Sequence, residues 1–139
     1  PYPPGVSEKL LKPVLEERNN YIKKIDDYLA EYDVFLCPVH PTAAFKHIKP
    51  DNSSSIVFSY TTPIMVDDKP FDYFNANGAY SRLFNLTGSP VVVIPIGFTK
   101  DGLPIGVQMV GKHWHDMELL HYAKQIDLAA KAYRRPSGY

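Results

Sequence analysis

Residues 88–110 read GSPVVVIPIGFTKDGLPIGVQMV, and this stretch limits how the chain can fold more than any other. Two apolar runs rich in β-branched residues, 91–98 and 105–110, flank Lys100-Asp101-Gly102. Asp-Gly between such runs predicts a hairpin, because glycine accepts a positive φ at little cost. Pro95 has no N–H to give a strand ladder, so the first strand is expected to carry a bulge or a local edge there. Gly88 and Pro90 mark a helix end just upstream. Glycine suits a left-handed cap, and proline forbids continuation.

The remaining elements follow from periodicity. Phe74, Ala76/Asn77, Tyr80 or Ser81, and Phe84 recur at helical spacing and predict a helix over 71–86. A longer helix starts at Ser7 and ends near Glu31. Leu10, Val14, Tyr21, Ile25 and Tyr28 form one face, and Leu11, Leu15, Ile22 and Leu29 widen it. Pro13 predicts a short turn before it or a kink at it. Val34 to Cys37 is an unbroken apolar run, which predicts a short strand buried on both faces of a parallel or mixed sheet. Residues 38–70 hold five prolines and the run Ser53-Ser54-Ser55, and read as a long loop with an extended piece at 56–60. A last helix is expected over 116–133, with Asp116 as its N-cap and Leu119, Ala123, Ile126 and Ala130 as its buried stripe. The order α-β-loop-α-β-β-α predicts an α/β fold, a mixed β-sheet covered by helices, in one domain spanning the 139 residues.

Composition narrows the function classes. Fifteen basic and fifteen acidic residues cancel, and the basic residues are scattered apart from small clusters such as Arg134-Arg135, so no field exists to attract nucleic acid. No stretch reaches the roughly 20 apolar residues that span a bilayer, and the first residues have no signal-peptide core. The chain starts at proline without an initiator methionine, which is expected either of methionine excision before a proline or of a piece cut from a longer protein. One cysteine, Cys37, excludes an internal disulfide framework and fits a reducing, cytoplasmic setting.

Chemistry-bearing residues are scattered. Ser53–Ser55 lack the flanking glycines and the nearby base that a nucleophilic serine needs, and read as loop. His113-Trp114-His115-Asp116 offers two histidines without the further ligands of a metal site, and reads as a strand–helix connection. His40, His47 and His121 are isolated, and Asp67-Asp68 reads as a turn. No metal and no cofactor is expected. Asn85-Leu86-Thr87 is a glycosylation sequon, as is the one at Asn52, and a secreted glycoprotein domain is one reading of the chain. The other reading of Asn85 and Thr87 is that their side chains bond the backbone groups freed where the helix ends.

Longer strings carry more. FNLTGSPVVVIPIGFTKDGLPIGVQMVGKHW, residues 84–114, resembles the C-terminal part of the amidase signature family. There an FNxTGxPAxxxPxG segment is followed by DGLPxGxQxxG and a final helix with a Leu-Leu pair, which Leu119-Leu120 supplies here. YDVFLCPVHPTAA, residues 32–44, resembles the family's YDxLLxPTxPxxA segment, again straight after a helix. The resemblance implies hydrolysis of amide C–N bonds by a Ser–cis-Ser–Lys triad carried upstream of these motifs. No residue of this sequence matches the triad, so no catalytic residue is assigned and the chain alone is expected to be inactive. By position, the resemblance makes Tyr60, Thr61, Phe71, Phe74, Tyr80 and Phe84 candidate substrate-pocket residues. It also implies two partners, a small-molecule amide and the N-terminal part of the same enzyme. Separated from that part, the chain is expected to expose apolar surface and self-associate. The sequence departs from the commoner pattern at Ser89 and Val91, and residues 60–84 do not resemble the tRNA-amidotransferase form. A non-catalytic binding or assembly module derived from the same fold is the alternative.

Overall fold

The structure, a computed structural model, describes residues 7–48, 62–135 and 138. In chain order the elements are α1 Glu8–Leu29, β1 Phe35–Pro38, β2 Ile64–Val66, β3 Lys69–Phe71, α2 Tyr73–Gly78, α3 Arg82–Thr87, β4 Val91–Phe98, β5 Pro104–Val110 and α4 Asp116–Ala130. The class is α/β, with antiparallel sheets and helices.

The hairpin forms as its sequence requires. The β4 and β5 strands pair antiparallel, Ile94 opposite Val107, and the register shifts between Pro95 and Gly97. That bulge sits where proline removes a donor. In the turn, the Gly102 N–H donates to the Thr99 carbonyl at 3.0 Å, and Gly102 holds φ at +81°. The β5 strand lies in the middle of the sheet, with β4 and β1 on either side. It pairs antiparallel with β1 as well, Phe35 opposite Val110. As an outer strand, β1 alternates between half-buried and exposed positions, so the expectation of burial on both faces does not hold.

One face of this sheet carries the core. Ile94 and Met109 pack against Leu119 and Ala123 of α4, with Val92, Val107, Tyr122 and Ile126 around them. Full burial of a side chain such as Met109 or Leu119 stabilises the fold by about 2–3 kcal/mol. The α4 helix ends at Ala130 instead of 133, and His115, not Asp116, occupies its N-cap position. Glu118 and Asp116 then both lie in the first turn, where negative charge is favourable.

The α1 helix runs unbroken through Pro13, with no separate turn before it. Its amphipathic pattern is real but largely uncovered. Only Leu29 is buried, while Leu10 and Val14 are 68% and 59% exposed.

Two stretches differ from expectation. The 38–70 loop contains β2 and the start of a second hairpin, in which Ile64 faces Phe71 and Val66 faces Lys69. Asp67 and Asp68 form its turn with φ of +47° and +62°, a conformation that aspartate tolerates better than most residues. The single helix expected over 71–86 is two short helices. Asp72 caps α2 by accepting the Asn75 N–H at 2.9 Å, and the chain turns at residues 79–81 before α3. Gly78 lowers helix propensity there, and its bare Cα leaves room for the Arg82 side chain. A Cβ at Gly78 would lie 2.1 Å from Arg82 Nε.

The end of α3 matches expectation. Gly88 adopts φ +73°, and its N–H donates to the Phe84 carbonyl at 2.8 Å. Thr87 is buried, donates its hydroxyl to the Leu83 carbonyl at 3.0 Å, and shares a 2.8 Å hydrogen bond with the Ser89 hydroxyl. Asn85 is exposed, so of the two sequon residues it is Thr87 whose side chain serves the joint.

Candidate functional site

Two clefts open on the face of the sheet away from α4. The larger, about 590 Å³, lies between residues 39–44 and the β4–β5 hairpin. Its floor is Val93, Pro95, Ile105 and Gly106. Gly106 permits close approach, because a Cβ there would stand 3.3 Å from Val93 Cγ1 and 3.4 Å from Val39 Cγ2. The smaller cleft, about 350 Å³, lies between α1, α3 and the sheet and is lined by Tyr21, Ile25, Tyr28, Phe35, Leu83 and Phe84. Both have the mainly apolar character of small-molecule sites.

Gln108, on β5, connects the walls. It is only 3% exposed. Its Nε2 donates to the Pro38 carbonyl at 2.9 Å and to the Tyr80 carbonyl at 2.7 Å. One amide therefore holds the end of β1, from which residues 39–44 leave, against the α2–α3 joint. Cys37 lies beside it. Burial pushes the Cys37 thiol up, and a hydrogen bond from Gln108 partly offsets this.

His40 lies in the wall of the larger cleft. The Thr42 backbone N–H donates to His40 Nδ1 at 3.1 Å, and the ring packs on Phe45 at 5.6 Å between centroids. His40 Nε2 is buried and has no hydrogen-bond partner among the described residues.

The six residues singled out from the sequence are not gathered into one cleft. Tyr60 and Thr61, like Asn52 and Ser53–Ser55, lie outside the described residues. Phe84 is buried and lines the smaller cleft, 6.1 Å from the Phe35 ring. Phe71 on β3, Phe74 on α2 and Tyr80 in the α2–α3 joint are all partly exposed and line neither cleft. The Phe74 carbonyl accepts a hydrogen bond from Arg82. Sequence reasoning read His40 as an isolated loop histidine and did not single out Gln108. A polar residue inside the apolar run 105–110 was the available signal for Gln108. For His40 the signal was its place in a loop stiffened by Pro38 and Pro41.

The other candidates have structural partners. His113 bonds Asp26 of α1 at 2.7 Å and the Thr87 carbonyl at 3.2 Å. His115 bonds Glu118 at 2.8 Å. That bond, with a second from Tyr122, holds the Glu118 carboxyl below its ordinary value. Desolvation, aided by Glu118, pushes the Tyr122 hydroxyl up. His121 lies near Gln125 on the exposed side of α4, and His47 is exposed. Among the described residues, no group of three or more His, Cys, Asp or Glu could hold a metal ion.

The Amidase family model matches residues 5–120, and the chain belongs to that family. A glutamyl-tRNA(Gln) amidotransferase subunit of Prochlorococcus marinus (strain NATL2A) is 28% identical over 130 residues, covering 94% of this chain and 23% of that protein. The corresponding protein of Psychrobacter sp. (strain PRwf-1) is 32% identical over 117 residues, covering 84% and 18%. A fatty acid amide hydrolase of Oryza sativa subsp. indica is 26% identical over 134 residues, covering 96% and 19%. The chain thus spans about a fifth of the length of these curated relatives. Among solved structures, an amidase superposes with a TM-score of 0.70 at 21% identity, over 90% of this chain and 26% of that one. A 6-aminohexanoate cyclic dimer hydrolase superposes with a TM-score of 0.70 at 22% identity, over 95% and 27%. No described helix is long and apolar enough to cross a membrane.

Proposed function

We propose that this chain is the C-terminal part of an amide C–N hydrolase. In that role it completes the enzyme's sheet and supplies part of the substrate pocket, while the Ser–cis-Ser–Lys triad comes from an upstream segment. The observation that carries this reading is the family match over residues 5–120 in a chain spanning about a fifth of its relatives. The 139 residues alone turn over no amide. The substrate is a small-molecule amide. Relatives named for tRNA-linked and fatty-acid substrates match at 28% and 26% identity, so the likeness follows the family and not one substrate.

Tyr60, Thr61, Phe71, Phe74, Tyr80 and Phe84 remain the proposed substrate-contacting residues, and the cleft at Phe84 supports that position best. The exposed faces of α1 and the sheet are the surface that the N-terminal part covers. The reaction needs no cofactor, and the balanced charge fits a neutral ligand better than nucleic acid. A cytoplasmic location suits the free Cys37.

The test compares the full-length enzyme with the 139-residue chain, measuring ammonia release from acetamide, hexanamide and benzamide. Turnover by the full-length enzyme alone is the expected result. Turnover by the short chain, abolished by Ser54→Ala, overturns the reading. A parent gene without an upstream glycine- and serine-rich segment would favour the non-catalytic assembly module.

A further inference from the structure

We propose that His113 is a positioning residue: its doubly protonated ring holds α1 against α3 and so keeps the cleft at Phe84 shaped for the apolar body of the amide substrate. The inference rests on the amide-hydrolase reading above, which puts the substrate at that cleft.

One ring reaches both helices that wall the cleft. His113 Nδ1 lies 2.7 Å from Asp26 Oδ1 on α1, and Nε2 lies 3.2 Å from the Thr87 carbonyl oxygen at the end of α3. The α1 helix contributes Tyr21, Ile25 and Tyr28 to the cleft, and α3 contributes Leu83 and Phe84. Asp26 directly follows Ile25, and Thr87 comes one turn after Leu83. His113 itself stands outside the cleft, in the connection between β5 and α4.

The proton count follows from the partners. A carboxylate and a backbone carbonyl offer lone pairs and no hydrogen. Each ring nitrogen must therefore carry a hydrogen, and the imidazolium makes both bonds. Either neutral tautomer makes one bond and turns a lone pair against an oxygen at the other. The His113 side chain is only 20% exposed, so water replaces the lost bond poorly. Arg18 and Lys112 share the space around the ring. Arg18 is engaged, its Nε donating to the Leu86 carbonyl at 2.7 Å. That is a second bridge from α1 to α3, and an arginine bridge does not respond to pH. At the start of α4, Glu118 bonds His115 instead of His113. Within this chain Leu29 is the only buried residue of α1, so the two polar bridges govern where the helix lies.

Two variants of the full-length enzyme separate the proton from packing. In Asp26→Asn the side chain can donate to an unprotonated Nδ1, so a neutral ring keeps both bonds. In His113→Gln a single amide replaces the ring and reaches one partner. The KM values of hexanamide and benzamide, each relative to that of acetamide, are followed between about pH 5 and pH 8, the span in which histidine changes charge. We expect the relative KM of the parent to rise about 5-fold across that span, with the kcat ratios constant. The rise should vanish in both variants, at the low level in Asp26→Asn and at the high level in His113→Gln. Hydrogen-exchange protection of residues 19–29, compared with that of α4 in the same proteins, should mirror this pattern. A relative KM that is flat in the parent, or that rises equally in all three proteins, overturns the proposal. So does a lowered Tm in His113→Gln with the parent's relative KM profile, which leaves the ring a structural bridge only. If none of the three amides is hydrolysed, the functional reading fails by itself. The exchange data then decide the bridge: pH-dependent protection lost in both variants supports it, and pH-independent protection in the parent overturns it.

Discussion

Gln108 Nε2 donates to the Tyr80 carbonyl at 2.7 Å, which ties the middle strand of the sheet to the joint between two short helices. The same nitrogen reaches the Pro38 carbonyl. Replacing Gln108 with leucine leaves two carbonyls without a donor in a buried setting. We expect Gln108→Leu to cost about 2–3 kcal/mol, seen as a lower denaturation midpoint with an unchanged slope. Cys37 reports the same change. It loses the hydrogen bond that lowers its pKa, so the midpoint of its pH-dependent alkylation should move upward. A stable variant with unaltered thiol titration would contradict the assigned geometry.

Thr87 and Ser89 bridge Gly88 through their hydroxyls. Thr87→Val keeps the shape but strands the Ser89 hydroxyl, at about 1–2 kcal/mol. Adding Ser89→Ala should cost less than the two single effects summed, because the hydroxyls serve each other. Strict additivity in chemical denaturation would rule out the shared bond.

The start of α4 should respond to pH on both sides of neutrality. The folded carboxyl of Glu118 titrates below its ordinary 4.5, chiefly through its hydrogen bond to His115. The unfolded chain therefore binds the proton first as pH falls. The contribution is complete above the ordinary value and fades as pH drops through the lowered one. The Tyr122 hydroxyl titrates above its ordinary 10.0, chiefly through desolvation. Its contribution is complete below that value and fades as pH climbs through the raised one. Curves of Tm against pH should flatten on the acid side in Glu118→Gln and on the alkaline side in Tyr122→Phe. Parallel curves for parent and variants would remove the assignment.

Exposed apolar side chains on α1 and β4 predict association of the 139-residue chain with itself. Leu10, Val14 and Val93 are 68%, 59% and 54% exposed, and β4 presents a free strand edge among the described residues. Sedimentation should show mass rising with concentration, and Leu10→Lys with Val14→Lys should reduce it. A sharp monomer at all concentrations, without binding of a dye for apolar surface, would count against this.

What could be read from the sequence was local. The β4–β5 hairpin, the Gly88 cap and the bulge at Pro95 each depend on the chemistry of a few adjacent residues. The β2–β3 hairpin was missed because three-residue strands carry no usable alternation, although its Asp67-Asp68 turn was recognised. At the break between α2 and α3 the Arg82 side chain lies over Gly78, a contact that periodicity cannot report. Gln108 was overlooked, and His40 set aside as isolated, for a different reason. Gln108 finds partners 28 and 70 residues away, and the burial of His40 Nε2 exists only in the folded loop.

The placement of β5 between its neighbours sets a timetable. The β4–β5 ribbon can zip from its own tight turn within microseconds, but β1 pairs with a strand about 70 residues further along the chain. As the polypeptide leaves the ribosome, residues 35–38 emerge first and must remain unpaired until 104–110 follow. Closure of that long loop is a slow, entropically costly event compared with zipping. Until then an unpaired strand carrying Phe35, Leu36 and Cys37 is open to the wrong neighbour, and the chain's vulnerability during synthesis is concentrated there.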